Sequence, residues 1–205
     1  MAEATLRRHA PVEVLAALLL LSSCGGGGTS PSPAASKLAF TAQPTATAVG
    51  SAIAPVSVAV QTSSGIIVSS ATDPITIVLG ANPGSGTLTG TTVVNAAGGV
   101  STFSDLAISA PGAGYTLVAS SGTLLGATSN PFNVFGPATQ IALNAGDNQV
   151  AGVSTAVGVP PSVRVRDAGN VPVPGVPVTF AVTSGAGTVS PTTAVNTDQN
   201  GISQL

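Results

Sequence analysis

Ser162-Val163-Arg164-Val165-Arg166-Asp167-Ala168-Gly169-Asn170 lines up with Ser57-Val58-Ala59-Val60-Gln61-Thr62-Ser63-Ser64-Gly65, and this pairing decides the fold. In both stretches valines alternate with other residues and then give way to a turn. Period two with β-branched enrichment marks a strand buried on one side. Outward from the pair, Ile75-Thr76-Ile77-Val78-Leu79 lines up with Val178-Thr179-Phe180-Ala181-Val182, and Gly86-Thr87-Leu88 with Gly187-Thr188-Val189. Gly99-Val100-Ser101 matches Gly201-Ile202-Ser203. The separation stays near about 100 residues, so each repeat is one supersecondary assembly large enough for its own core.

Turn formers fall between the strand patterns: Ser63-Ser64-Gly65, Asn82-Pro83-Gly84, Ala110-Pro111-Gly112, Asp167-Ala168-Gly169-Asn170 and Asn200-Gly201. Each carries a residue suited to positive φ or a preset turn angle. Val176-Pro177-Val178-Thr179-Phe180-Ala181-Val182 places four large apolar side chains on one face and predicts a further strand. Strands and turns recurring every ten residues or so predict an all-β chain of tandem β-sandwiches. The second is expected to be incomplete. Leu205 aligns with Phe103, and the first copy continues through Leu106-Ala107-Ile108, Tyr115-Thr116-Leu117-Val118 and Phe132-Asn133-Val134-Phe135. Without counterparts to these, the second sandwich leaves strand edges and an apolar face uncovered. We therefore expect a fragment of a longer protein or a shortened reading frame.

The 205 residues are 43% apolar and only 6% charged, with five Lys and Arg against seven Asp and Glu and a net charge of -2. That balance supplies none of the cationic surplus on which polynucleotide or anionic-membrane binding draws. The N-terminus differs from the rest. Arg7 and Arg8 precede the apolar run Val14-Leu15-Ala16-Ala17-Leu18-Leu19-Leu20-Leu21, which is too short to span a bilayer and has the layout of a secretory leader. The run ends in Leu21-Ser22-Ser23-Cys24, which resembles the bacterial lipoprotein processing box and contains the chain's only Cys. The resemblance implies that residues 1–23 are removed and that Cys24 becomes the acylated first residue, holding the protein to a membrane. Gly25 stands where an Asp signals inner-membrane retention in such lipoproteins, which implies an outer-membrane or cell-surface location. Residues 24–36, Cys24 followed by Gly, Ser, Thr, Pro and Ala, read as a tether, with an r.m.s. reach of about 20 Å over 25–36.

The domain organisation expected is a leader over 1–23, a tether over 24–36, a sandwich over 37–136 and a partial sandwich over 137–205. The stretch from Val163 through Asn170 to Val176-Pro177-Val178-Thr179-Phe180, followed by Ser184-Gly185-Ala186-Gly187-Thr188-Val189 and Thr197-Asp198-Gln199-Asn200-Gly201, is similar to the bacterial immunoglobulin-like repeat of the invasin/intimin type. Lys37-Leu38-Ala39-Phe40-Thr41 and Phe103-Ser104-Asp105-Leu106 resemble related repeats found in tandem in large bacterial surface proteins. What the resemblance implies is a stalk or adhesion module without catalysis. Gly112-Ala113-Gly114-Tyr115-Thr116-Leu117 resembles the tyrosine corner of sandwich folds. Tyr115 reads equally as that corner or as an ordinary half-buried strand residue.

Candidate chemistry is sparse. The only His is His9, inside the leader, so the expected mature chain has no imidazole for acid–base or metal work. Asp73, Asp105, Asp147, Asp167 and Asp198 are scattered, and turn formation accounts for them better than a shared site. Asp147 and Asp167 are the pair that would serve Ca²⁺, but no carboxylate-rich calcium loop surrounds them. Arg164 and Arg166 are expected on the solvent side of their strand. No Trp and one Tyr disfavour glycan stacking, and Phe40, Phe103, Phe132 and Phe180 fit core positions. Gly84-Ser85-Gly86 and Gly185-Ala186-Gly187 lack the Lys-Ser/Thr and helix of a phosphate loop. Lys37, at a domain edge, is poorly placed for an isopeptide crosslink. These readings lead us to expect no catalytic residue, metal, cofactor or small-molecule substrate, with the membrane as a partner through Cys24 and a protein or host-surface ligand left unidentified. The function expected is a lipid-anchored spacer or adhesion stalk. The alternative is an N-terminal presentation arm of a larger envelope enzyme or receptor, distinguished by what is encoded past codon 205.

Overall fold

A computed structural model describes residues 34–205, so the leader, the Leu21-Ser22-Ser23-Cys24 box and the tether up to residue 33 lie outside the described residues. The described chain is all-β and sandwich-like, with two hydrophobic cores of unequal size. The first group of strands is β1 (Lys37–Ala42), β2 (Thr47–Ala48), β3 (Val56–Gln61), β4 (Pro74–Leu79), β5 (Leu88–Thr89), β6 (Val93–Asn95), β7 (Val100–Phe103), β8 (Ala107–Ile108), β9 (Gly112–Tyr115), β10 (Leu117–Ser120), β11 (Ala127–Thr128) and β12 (Phe132–Phe135). The second is β13 (Ala138–Ala145), β14 (Ser162–Asp167), β15 (Pro177–Val178), β16 (Val195–Asn196) and β17 (Ile202–Gln204).

In the first group β1, β3 and β7 form one sheet and β11, β10, β4 and β6 another, each in that order. A third sheet places β12 between β9 and β2, the β12–β2 pair being parallel. Alternation explains what these strands bury. Val56, Val58 and Val60 of β3, Ile75 and Ile77 of β4, Leu117 and Ala119 of β10, and Phe132 and Val134 of β12 all turn inward to one core. Among the described residues that core holds eighteen buried ones, and each of its large aliphatic or aromatic side chains contributes about 1.5–3 kcal/mol of transfer free energy.

Several hydrogen bonds of the first group recur in the second where the two align. Val60 N–H donates to Gly99 O at 2.8 Å, and Val165 N–H to Gly201 O at 2.8 Å. Val68 N–H reaches Val60 O as Val173 N–H reaches Val165 O. Ser101 Oγ donates to Val94 O at 3.0 Å, and Ser203 Oγ to Val195 O at 2.9 Å. Burial does not repeat. Among the described residues, only Val165, Val173 and Val178 form the buried part of the second core. Ile141 and Leu143 of β13 pair with Val165 and Val163, yet they stay 62% and 58% exposed. Leu38, which pairs with Val60 in the first group, is 4% exposed.

The strand expected over Val176–Val182 is shorter than its alternation suggests: only Pro177 and Val178 are laddered, opposite Asn196 and Val195. The reason lies in its partners. β4, its counterpart, is hydrogen-bonded on both sides, to β6 and β10, whereas β15 is paired only with β16 among the described residues. Phe180 is consequently half-buried and Val182 is exposed.

Candidate functional site

Tyr115 ends β9 fully buried, and its hydroxyl donates to Ala110 O at 2.9 Å, five residues upstream. Its ring lies 6.2 Å from that of Phe132, tilted by 37°. The backbone around the hydroxyl leaves no room for a side chain: a Cβ at Gly84 would collide with the Pro111 carbonyl and with the Tyr115 hydroxyl. The phenol thus closes the end of the first core and satisfies its own polar atom within the chain, as a buried hydroxyl must.

The carboxylates are occupied by backbone. Asp167, 2% exposed, accepts hydrogen bonds from Gly169 N and Val171 N through Oδ1 at 2.9 and 2.8 Å and from Gly136 N through Oδ2 at 2.7 Å. The first two close the turn after β14; the third reaches the connection between the two strand groups. Asp198 Oδ1 accepts from Asn200 N and Ile202 N at 2.8 and 2.9 Å. The Ile202 bond foremost holds its carboxyl below the ordinary range against the opposing effect of burial, with lesser help from Asn200 and from the positive Arg164. Asp147 is exposed and accepts from Asn148 Nδ2. Asp167 has its oxygens engaged by three N–H groups and Asp147 is hydrogen-bonded to its neighbour, so nothing in these contacts joins them in a cation site. Among the described residues no three His, Cys, Asp or Glu side chains come together as metal ligands.

Asp105 shows the same use of a carboxylate on the surface. Its Oδ1 accepts from Thr91 N at 2.9 Å and its Oδ2 from Thr91 Oγ1 at 2.8 Å. These bonds, the backbone one foremost, lower its pKa. A carboxyl depressed on folding stabilises the folded state above its unfolded pKa, about 3.9, and loses that contribution as pH falls through the lower folded value. Asp105→Asn should therefore be less stable than wild type at neutral pH, with the gap closing under acid. Urea midpoints measured from pH 7 down to pH 2.5 check this, and a gap that stays constant over that range would exclude the assigned role.

Arg164 and Arg166 differ from the expectation that both sit on the solvent side. Each is half-buried, and the Arg164 Nε is buried without a hydrogen-bond partner. The aliphatic stem of an arginine covers apolar surface as readily as its head meets water. Phe103 and Phe132 are core residues, while Phe40 and Phe180 are half-buried at core margins. Among the clefts on the second group, two flank its strands and loops. One of about 380 Å³ lies between β13 and β15, lined by Ile141, Val165 and Val178 among others. Another of about 710 Å³ is lined by residues 152–156 and 186–188. Neither is lined by an ionisable side chain.

Sequence reasoning found Asp167 as a turn former but missed its bond to Gly136, and it placed Phe135 in a strand without seeing which core its ring enters. The usable signal was the repeat itself: Thr62 stands where Asp167 stands, and the hydrogen bonds of Thr62 Oγ1, from Ile66 N and with Ser64 Oγ, are local. No protein-family model matches the chain, and no curated protein matches it.

Proposed function

We propose that this chain is a lipid-anchored cell-envelope protein whose tandem immunoglobulin-like, invasin/intimin-type modules act as a spacer or adhesion stalk. The observation that carries the reading is the order of segments: an apolar leader ending in Leu21-Ser22-Ser23-Cys24, an uncharged Gly/Ser/Pro stretch, then duplicated β-structure. An acylated Cys24 followed by Gly25 directs the protein to the outer membrane or the cell surface. Multiple acyl chains, as bacterial lipoproteins carry, make such an anchor firm, because a single chain holds only marginally. Asp105, Asp167 and Asp198 are committed to turns and joints, which suits a structural element. The proposed modules act by position rather than by chemistry, and their ligand is a protein or host surface.

The test is processing. Cys24→Ser expressed with radiolabelled palmitate should accumulate as an unlabelled, uncleaved precursor, while wild type is labelled and partitions into detergent. A Cys24→Ser protein that still carries the label would end the lipoprotein reading.

A further inference from the structure

We infer that the second strand group depends on the first for its folding, through a joint in which Phe135 and Asp167 each belong to both. The connection between β12 and β13 is only Gly136 and Pro137. Phe135 is the last residue of β12: its backbone is paired with Ala48, and its carbonyl accepts from Val49 N at 2.9 Å. Its ring is nevertheless packed against the second core, beside Val165, Val173 and Val178. Alternation requires this, because Phe132 and Val134 fill the first core and Phe135 must face the other way.

The next residue is held from the opposite side. Gly136 N donates to the buried Asp167 Oδ2 at 2.7 Å, and Ala138 opens β13 opposite Asp167. A Cβ at Gly136 would stand 3.3 Å from that same oxygen, so the backbone is seated directly on the carboxylate. Pro137 limits the remaining freedom. Gln199, in the turn before β17, lines a cleft with Pro44, Ala46, Phe132 and Asn133 of the first group, which adds a second point of approach.

Core size gives this joint its consequence. The first core is self-sufficient, with eighteen buried residues, while the second has three and leaves Ile141 and Leu143 exposed. Phe135 is therefore one of the few side chains, with Val163, Val176 and Phe180, that cover this small core, and it is the one supplied by the first group. Dependence runs one way: loss of the joint should loosen the second group and leave the first intact. Its use as a stalk joint rests on the spacer reading; the coupling itself does not, since acylation has no part in it.

Hydrogen exchange on the full chain carrying Cys24→Ser tests it, reading Val165 against its counterpart Val60, both of which donate to a glycine carbonyl. Two variants are compared with that parent. A Gly-Ser-Gly-Ser insertion between Gly136 and Pro137 keeps every side chain but separates the groups. Asp167→Thr installs the residue of the first repeat, which can retain the turn bond to Val171 but is too short to hold Gly136. We expect exchange at Val165 to be accelerated about tenfold or more by the insertion and less by Asp167→Thr, with Val60 unchanged. Unaltered exchange at Val165 in the insertion variant would overturn the inference, and so would equal acceleration at Val60 and Val165. Failure of palmitate labelling would leave these results standing, and their failure would leave the anchor untouched.

Discussion

Tyr115→Ala is expected to destabilise the first strand group by about 3–5 kcal/mol, the range for deleting a buried aromatic side chain. Three losses combine. The ring is fully buried beside Phe132, so its removal leaves a cavity whose lining forfeits contacts on one side. Collapse into the space is obstructed, because Gly84, Gly86 and Gly112 bring backbone rather than mobile side chains up to the phenol. The Ala110 carbonyl also loses its donor. Tyr115→Phe isolates that last part and should cost only about 1 kcal/mol, the net value of one hydrogen bond. Urea denaturation of both variants, with exchange at Val60 as the local probe, separates the two contributions. If Tyr115→Phe were as damaging as Tyr115→Ala, the hydroxyl rather than the ring would be holding this end of the core. A midpoint unmoved by Tyr115→Phe would remove the latch to Ala110.

The strands most legible in the sequence were those with period-two burial on one face and partners on both sides. Val56-Ser57-Val58-Ala59-Val60 and Ile75-Thr76-Ile77-Val78-Leu79 carry alternating large residues, and they form β3 and β4. Val176–Val182 carries the same pattern but is laddered for two residues only, because a strand's extent is set by its neighbours as much as by its own side chains. Turns were read from composition, but the residue that takes positive φ was not always the glycine. Asn82-Pro83-Gly84 turns through Ser85, at φ 53°. Asp167 shows where local reading stops. Its two bonds to Gly169 and Val171 are an Asx-type turn visible in four residues of sequence, whereas its bond to Gly136 spans 31 positions and arises only once two strand groups have been placed together. Likewise alternation dictates that Phe135 faces away from the first core but cannot say what it meets there.

Gly99→Ala should cost about 2–5 kcal/mol, and its neighbour Gly98→Ala only about 1–2 kcal/mol. Both glycines hold left-handed backbone, at φ 79° and 60°, in the turn that leads into β7. An L-residue in that region costs about 1–2 kcal/mol by itself, so conformation alone does not separate them. Space does. A Cβ at Gly98 meets nothing within 4 Å, while one at Gly99 would be driven into the Val68 carbonyl, backbone that cannot swing aside. Val60 N–H binds the Gly99 carbonyl, so relief by moving the turn would break a bond of the first core. The second group offers a related comparison at different backbone atoms. Gly201, at φ 69°, would direct a Cβ into the Val165 carbonyl, and Gly175, at φ 75°, meets nothing. The same ordering should hold there, Gly201→Ala being far more damaging than Gly175→Ala, with the loss confined to the second group. Urea midpoints for the four variants, at unchanged m-values, decide the matter. If Gly99→Ala proved no worse than Gly98→Ala, the approach of the Val68 carbonyl would not be what requires glycine at position 99.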